Sequence, residues 1–250
     1  MTSADNAHTR DTAAPGTGFY GRRKGKPLRA LQNQHLQEHL PRLQIDLAML
    51  DDLAMLDDPA TPDRPLLSAL FPLPIAEVRL EIGFGGGEHL LAEAARHPGI
   101  GYIGAEAFVN GVAKATAGVV EAGLANVRLY GDDVVPLLDR LPAGSLARID
   151  LLYPDPWPKR RHWKRRFVRP DNIDRFARLL APGGHFRFAT DVEDYAAWTL
   201  RHLLADARFR WTARVADDWR LPWAGWPGTR YEAKARREGR IPGYYEFQRI

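Results

Sequence analysis

The chain has 250 residues, 45% of them hydrophobic and 26% charged, which suits one substantial water-soluble domain, or one domain plus an arm. It has no cysteine, and this excludes disulfides, zinc–thiolate sites and a cysteine nucleophile. The net charge of +4 is modest, but the cations gather in Arg22–Lys26, Lys159–Arg169 and Arg230–Arg240, as in a polyanion binder, although three solvated surfaces would read the same way.

The opening "MTSADNAHTRDTAAPGTG" has no apolar core for a signal peptide, and no later run approaches the roughly 18 apolar residues of a membrane span. A cytoplasmic location with no membrane partner is the expectation. Residues 1–18 are small and polar and are expected to be a disordered tail. Residues 19–75 comprise a basic arm, a helix expected over about Leu28–Leu40, and a proline-rich linker containing Pro59, Pro62, Pro65, Pro72 and Pro74. Within this stretch "LAMLDD" occurs twice in tandem, at Leu47–Asp52 and Leu53–Asp58; a repeat this short and isolated reads as a local duplication, and no function attaches to it.

Residues 76–250 alternate strands and helices. The strands are "VRLEIG", "GYIGAE", "NVRLY", "RIDLLY", "HFRFAT", "RFRWTA" and "YYEFQRI". The helices are "HLLAEAARH", Val109–Ala122, "PDNIDRFARLL" with Ile173, Phe176, Ala177 and Leu180 at helical spacing, and one with Ala196, Leu200, Leu203 and Leu204 as its buried stripe. The pattern predicts a doubly wound, mostly parallel, seven-stranded α/β sheet. The last two strands lack a long helix between them, which points to an antiparallel C-terminal edge.

The first strand runs into "LEIGFGGGEHL". Gly83, Gly85 and Gly87 let the backbone approach a ligand at the carboxyl edge of the sheet. A dinucleotide fingerprint would need a glycine where Glu88 stands, so a nicotinamide-dependent dehydrogenase fits poorly. The spacing G-x-G-x-G, with Glu81 two residues ahead, resembles the first motif of class I S-adenosylmethionine-dependent methyltransferases, whose cofactor carries an ammonium group for a carboxylate to balance. Glu106 ends the second strand, where it can accept both hydroxyls of a ribose. Asp132 and Asp133 follow the third, where a side chain can reach an adenine amino group, and Asp133 is the better placed, beside "VVPLL". The plainer reading is that strand ends are rich in acids because loops are polar.

The fourth strand ends in "YPDPWPKRRHWKRR", a stiff acidic turn set against six cations. This run closely resembles the signature of the tRNA guanine-N7 methyltransferases. The agreement continues through "GRRKGKPL", "LQNQHLQEHLPRL", "GAEAFVNG", "ATDVEDYAAW" and "TRYEAKARREGRIPGYYEF", over nearly all of residues 19–250. The resemblance implies a Rossmann-like class I fold and methyl transfer from S-adenosylmethionine to N7 of a tRNA guanosine, guanosine 46 of the variable loop. It implies cofactor contacts at Glu81, Glu106 and Asp133, a catalytic Asp155, and tRNA contacts at Lys159, Asp191, Thr229, Arg230, Tyr231 and Glu232. The segment Arg161, His162, Trp163, Lys164, Arg165 and Arg166 matches the part associated with RNA. From the residues alone, these cations read as a phosphate grip, His162 or Trp163 could stack on a base, and Trp163 could instead anchor the loop. Asp191 and Glu232 could equally be salt-bridge partners of the Arg-rich loop. No metal is expected, and the chain is expected to be a monomer or homodimer. Two rivals stand: an adenine-N6-type amino methyltransferase, whose D-P-P-Y-like turn matches Asp155-Pro156-Trp157-Pro158 poorly, and a catalytically silent RNA-binding protein.

Overall fold

The computed structural model describes residues 20–55 and 66–250; the expected disordered tail, the end of the second "LAMLDD" copy, and Pro59, Pro62 and Pro65 lie outside them. Among the described residues no helix is long and apolar enough to cross a membrane.

Two helices precede the sheet: α1 (Ala30–Leu43) and α2 (Leu47–Met55). Next come β1 (Glu77–Ile82), α3 (Glu88–Arg96), β2 (Ile100–Ala105), α4 (Val109–Glu121), β3 (Val127–Tyr130), α5 (Val134–Arg140) and β4 (Leu146–Leu152). A 3-10 turn at Arg160–Arg165 leads to α6 (Pro170–Leu179), β5 (Leu180–Thr190), α7 (Glu193–Leu204), β6 (Phe209–Trp211), α8 (Asp217–Arg220), α9 (Arg230–Arg237) and β7 (Gly243–Arg249). The seven strands stand in the order β3-β2-β1-β4-β5-β7-β6. All pairings from β3 to β5 are parallel, and β7 runs antiparallel to both of its neighbours. The expected antiparallel element is therefore present, but as an insertion: the last strand slots between β5 and β6.

The parallel strands are buried along nearly their whole length because helices cover both faces. On one side Leu80, Ile149, Phe176, Phe186, Phe188 and Phe247 pack together, with the Phe176 and Phe186 rings stacked 4.8 Å apart. On the other, Leu90, Ala94, Val112, Ala115 and Val119 meet Val127, Leu129 and Leu43, so α1 joins the core through its C-terminal end. That buried leucine explains why α1 runs through Pro41, beyond the expected stop at Leu40. The first "LAMLDD" copy supplies most of α2, whose Leu50 is fully buried.

The order of strands reverses between β1 and β4, so the loops leaving their carboxyl ends part and open a crevice there. Beyond α2 and α8, two further helices went unread in the sequence. One is α5, capped by Asp133, whose side chain accepts the N–H of Val135 at 3.1 Å. The other is α9, opened by Thr229, whose hydroxyl accepts the N–H of Glu232 at 3.1 Å. The "TRYE" run is thus a helix start of the T-x-x-E kind. Replacing Thr229 with Ala removes that acceptor and is expected to cost about 1 kcal/mol, measured as a lower urea midpoint at unchanged slope.

Candidate active site

A cleft of about 400 Å³ lies at the crevice and brings together Gly83 and Gly85 after β1, Glu106 after β2, Asp132 and Asp133 after β3, and Asp155 after β4. Tyr231 from α9 and Tyr20–Arg22 from the arm complete its walls.

The glycine turn is dictated by backbone geometry. Gly83, Gly85 and Gly87 have φ of 71°, 59° and 82°, the left-handed region that a Cβ disfavours. Gly85 is also held from two sides. Its N–H donates to Glu106 Oε2 at 2.8 Å, while Glu106 Oε1 accepts the N–H of Phe108 at 2.9 Å. A Cβ on Gly111, in the first turn of α4, would stand 2.1 Å from the Gly85 carbonyl oxygen. Gly111 is thus a site-building residue that the sequence reading missed; its signal was a glycine early in a helix, in "FVNG". Burial raises the pKa of Glu106 and its backbone donors pull it down, the first effect prevailing.

Glu81 lies directly under the glycine turn. It does not line the cleft: it is 5% exposed, beneath the turn, with Oε2 2.7 Å from Nδ1 of His89. Burial raises its pKa, and the adjacent imidazole moderates the rise. Burial lowers the pKa of His89, but the charge and hydrogen bond of Glu81 outweigh it, so the net shift is upward. Glu81 faces Asp150 across the β1–β4 pairing. Asp150 accepts Arg148 Nε at 2.8 Å, and Arg148 Nη2 reaches Glu93 at 2.8 Å. A buried charge network therefore underlies the glycine turn, and of its members only Glu81 was singled out from the sequence.

Asp132 accepts the N–H of Asp133 at 2.7 Å and is paired with Arg23. The arm is fixed further by Val109 N–H donating to the Arg23 carbonyl at 3.0 Å and by Asn110, which accepts the Gly25 N–H at 2.9 Å and donates to the Lys26 carbonyl at 2.8 Å. It crosses the mouth of the cleft to Tyr20, where the Arg165 guanidinium lies 5.1 Å from the Tyr20 ring and 4.9 Å from the Trp157 ring.

The turn carrying Asp155 is bracketed by Tyr153 (φ 51°) and Trp157 (φ 44°), non-glycine residues in left-handed backbone that cost about 1–3 kcal/mol each. Asp155 is exposed to the cleft, but protein surrounds its inner side and desolvation raises its pKa.

The cations that follow do not share one environment. Lys159, Arg161 and Lys164 are exposed, as is Arg160. His162 is half-buried, edge-on to Trp157 at 5.9 Å. Trp163 is also half-buried and meets Trp198 edge-on at 5.6 Å, so it anchors the loop to α7. Arg166 differs from its exposed neighbours: its side chain is completely buried. Asp191 and Glu232 are paired as well, with partners from the C-terminal segment and not from the Arg-rich loop. Asp191 binds Arg240; Glu232 accepts Tyr244 Oη at 2.8 Å, Arg236 Nε at 2.9 Å and Trp226 Nε1. Thr229 and Glu232 hold α9 in place, which sets Arg230 and Tyr231 over the glycine turn: a Cβ on Gly85 would lie 3.0 Å from Arg230 and 3.1 Å from Tyr231.

A family model described as "Putative methyltransferase" matches residues 76–241. Curated proteins named tRNA (guanine-N(7)-)-methyltransferase are similar over almost the whole chain. The one from Azorhizobium caulinodans is 58% identical over 93% of this chain and 95% of its own length. Those from Chelativorans sp. and Rhizobium meliloti are 54% identical over 93% of this chain and 95% of the relative, and 56% identical over 92% and 94%.

The charge network beneath the glycine turn can be tested without any ligand. Glu81 and His89 both have raised pKa values in the fold, so the native state binds more protons than the unfolded chain. Their joint contribution is complete in acid and is lost as pH rises through the raised values. Replacing His89 with Ala leaves Glu81 buried without its partner, an expected loss of about 3–5 kcal/mol near neutral pH. The loss should shrink as pH falls and Glu81 takes up a proton, which urea unfolding at several pH values measures.

Proposed function

The chain belongs to the tRNA (guanine-N7)-methyltransferase family, and we propose that it transfers a methyl group from S-adenosylmethionine to N7 of a guanosine in the tRNA variable loop. The observation that carries this reading is the convergence of the glycine turn, Glu106, Asp133 and Asp155 on one cleft, with exposed cations leading away from its rim.

The lining fits such a cofactor. The left-handed glycines leave backbone open on the cleft side, and the Glu106 carboxylate, held by backbone donors, is the acceptor placed for ribose hydroxyls. Asp133 lines the same cleft, and in this reading its carboxylate accepts the adenine amino group. Glu81 supports the turn from below through His89. Bound there, S-adenosylmethionine supplies a methyl group already activated by its sulfonium.

Guanine N7 carries an in-plane lone pair and is unprotonated at neutral pH, so the chain has no proton to remove from it. The protein's task is alignment, which for well-held reactants is worth several kcal/mol of barrier, roughly 7–11 at the extreme. The purine gains positive charge as N7 is methylated. The ionised Asp155 carboxylate accepts hydrogen bonds from the guanine N–H groups and stabilises that charge. The exposed Lys159, Arg161 and Lys164 grip the flanking phosphates.

Transfer of labelled methyl to unmodified tRNA, followed by mapping of the modified atom, tests the reading. Asp155→Asn should lower kcat by about 100-fold or more with little change in cofactor affinity. Because Asp155 must be ionised and its pKa is raised, the parent's activity should fall with acidification above the ordinary carboxylate range. Undiminished transfer by the variant removes Asp155 from the mechanism. Neutralising Lys159, Arg161 and Lys164 together should flatten the salt dependence of tRNA binding by roughly 0.7–0.9 in log–log slope per contact. An unchanged slope would show that these side chains do not meet phosphates.

A further inference from the structure

We propose that Arg166 is a positioning residue that fixes the Asp155 turn from inside the protein; this rests on the methyl-transfer reading above. Its Nε donates to the Pro156 carbonyl at 2.9 Å, one residue from the carboxylate. Its Nη2 is ion-paired with Asp194 in the first turn of α7. The guanidinium lies 4.9 Å from the Trp163 ring, 5.1 Å from Tyr195 and 5.2 Å from Trp198. The side chain is fully buried, against the inner wall of the cleft, with three aromatic rings around it.

The turn needs such an anchor for a reason visible in its composition. Pro154, Pro156 and Pro158 have no N–H to donate, so the turn has few means of tying its own backbone down. It nonetheless holds Tyr153 and Trp157 in left-handed conformations, which persist only where the surroundings impose them. On one side the Tyr153 N–H donates to the Ala189 carbonyl of β5 at 2.8 Å. On the other, Arg166 holds the Pro156 carbonyl, and Asp155 sits between the two.

Arg166 is itself immobilised. The Tyr195 hydroxyl accepts the N–H of Phe167 at 3.0 Å, and Trp198 Nε1 donates to the Val168 carbonyl at 2.6 Å. A line of support thus runs from α7 through Arg166 to Pro156 and Asp155. Lysine keeps the charge but lacks the planar fork that reaches Pro156 and Asp194 together.

The test compares the parent with Arg166→Lys. Thermal unfolding establishes that the variant is folded, and kcat, cofactor Kd, tRNA Kd with its salt slope, and the pH titration of the Asp155 carboxyl by NMR are then measured. A carboxylate displaced by about 1 Å should lower kcat by about 100-fold. Both Kd values should stay within about twofold, the salt slope should be unchanged, and the Asp155 titration should move toward the ordinary range as the loosened turn hydrates. A folded variant with parental kcat and titration overturns the proposal, as does a loss confined to tRNA affinity with a flatter salt slope, which would mark a phosphate contact. If Arg166→Lys does not fold, Asp194→Asn, altered at a half-exposed position, is judged by the same measurements. If the parent transfers no methyl to tRNA, the functional reading falls, while the Asp155 titration still decides whether Arg166 sets the turn.

Discussion

The cleft depends on one short tether: the Glu106 carboxylate, at the end of β2, holds the N–H of Gly85, in the loop after β1. Parallel strands alone place these loops side by side but leave their conformations open. The tether closes that choice, and Gly111 makes it possible by letting the start of α4 come up against the Gly85 carbonyl. With the turn fixed, Arg230 and Tyr231 can lie across it and the cleft gains its far wall. Beneath it, the Glu81–His89 and Arg148–Asp150 pairs fill the space where two charged strand residues would otherwise be buried without partners.

The second half of the site follows from the prolines after β4. Their missing N–H groups stiffen the turn and also deprive it of its own anchors, so it must be held by groups from elsewhere. Arg166 does this from the interior while its neighbours in sequence face outward. A single run of six cations is therefore divided by burial. Lys159, Arg161 and Lys164 keep their charge in water, Arg165 lies between two aromatic rings at the cleft mouth, and Arg166 is withdrawn into the core.

Much of this was legible in the sequence. Strands ending in glycine or acid, and helices with apolar residues at 3.6 spacing, marked the sheet and placed Glu106, Asp133 and Asp155 at one edge. What escaped detection shares a physical cause: side chains whose roles depend on partners distant in sequence. Nothing local distinguishes Arg166 from Arg165, because burial is decided by Trp163, Tyr195 and Trp198 closing around one and not the other. Asp191 and Glu232 read equally as tRNA contacts or as salt-bridge partners of the Arg-rich loop, and only the fold shows their pairing with Arg240, Arg236 and Tyr244. The helix α9 was obscured by its own charge, since "RYEAKARR" offers little apolar periodicity and its signal lay in the capping pair Thr229 and Glu232.

The chemistry proposed for this cleft explains why so much of the surrounding structure goes into rigidity. A reaction that must deprotonate its nucleophile calls for a titratable group poised near neutral pH. An N7 lone pair makes no such demand, and the barrier is then lowered by geometry and by fixed charge. The groups around Asp155 have that character: prolines, left-handed residues held from both sides, and a buried guanidinium that donates to the turn from inside. Even the raised pKa of Asp155 is a by-product of this design, because the protein packed behind the turn to hold it also excludes water from the carboxylate. Loosening that packing would make the acid easier to ionise and also less well aimed. In this site the two properties are coupled, and aim is the one on which transfer depends.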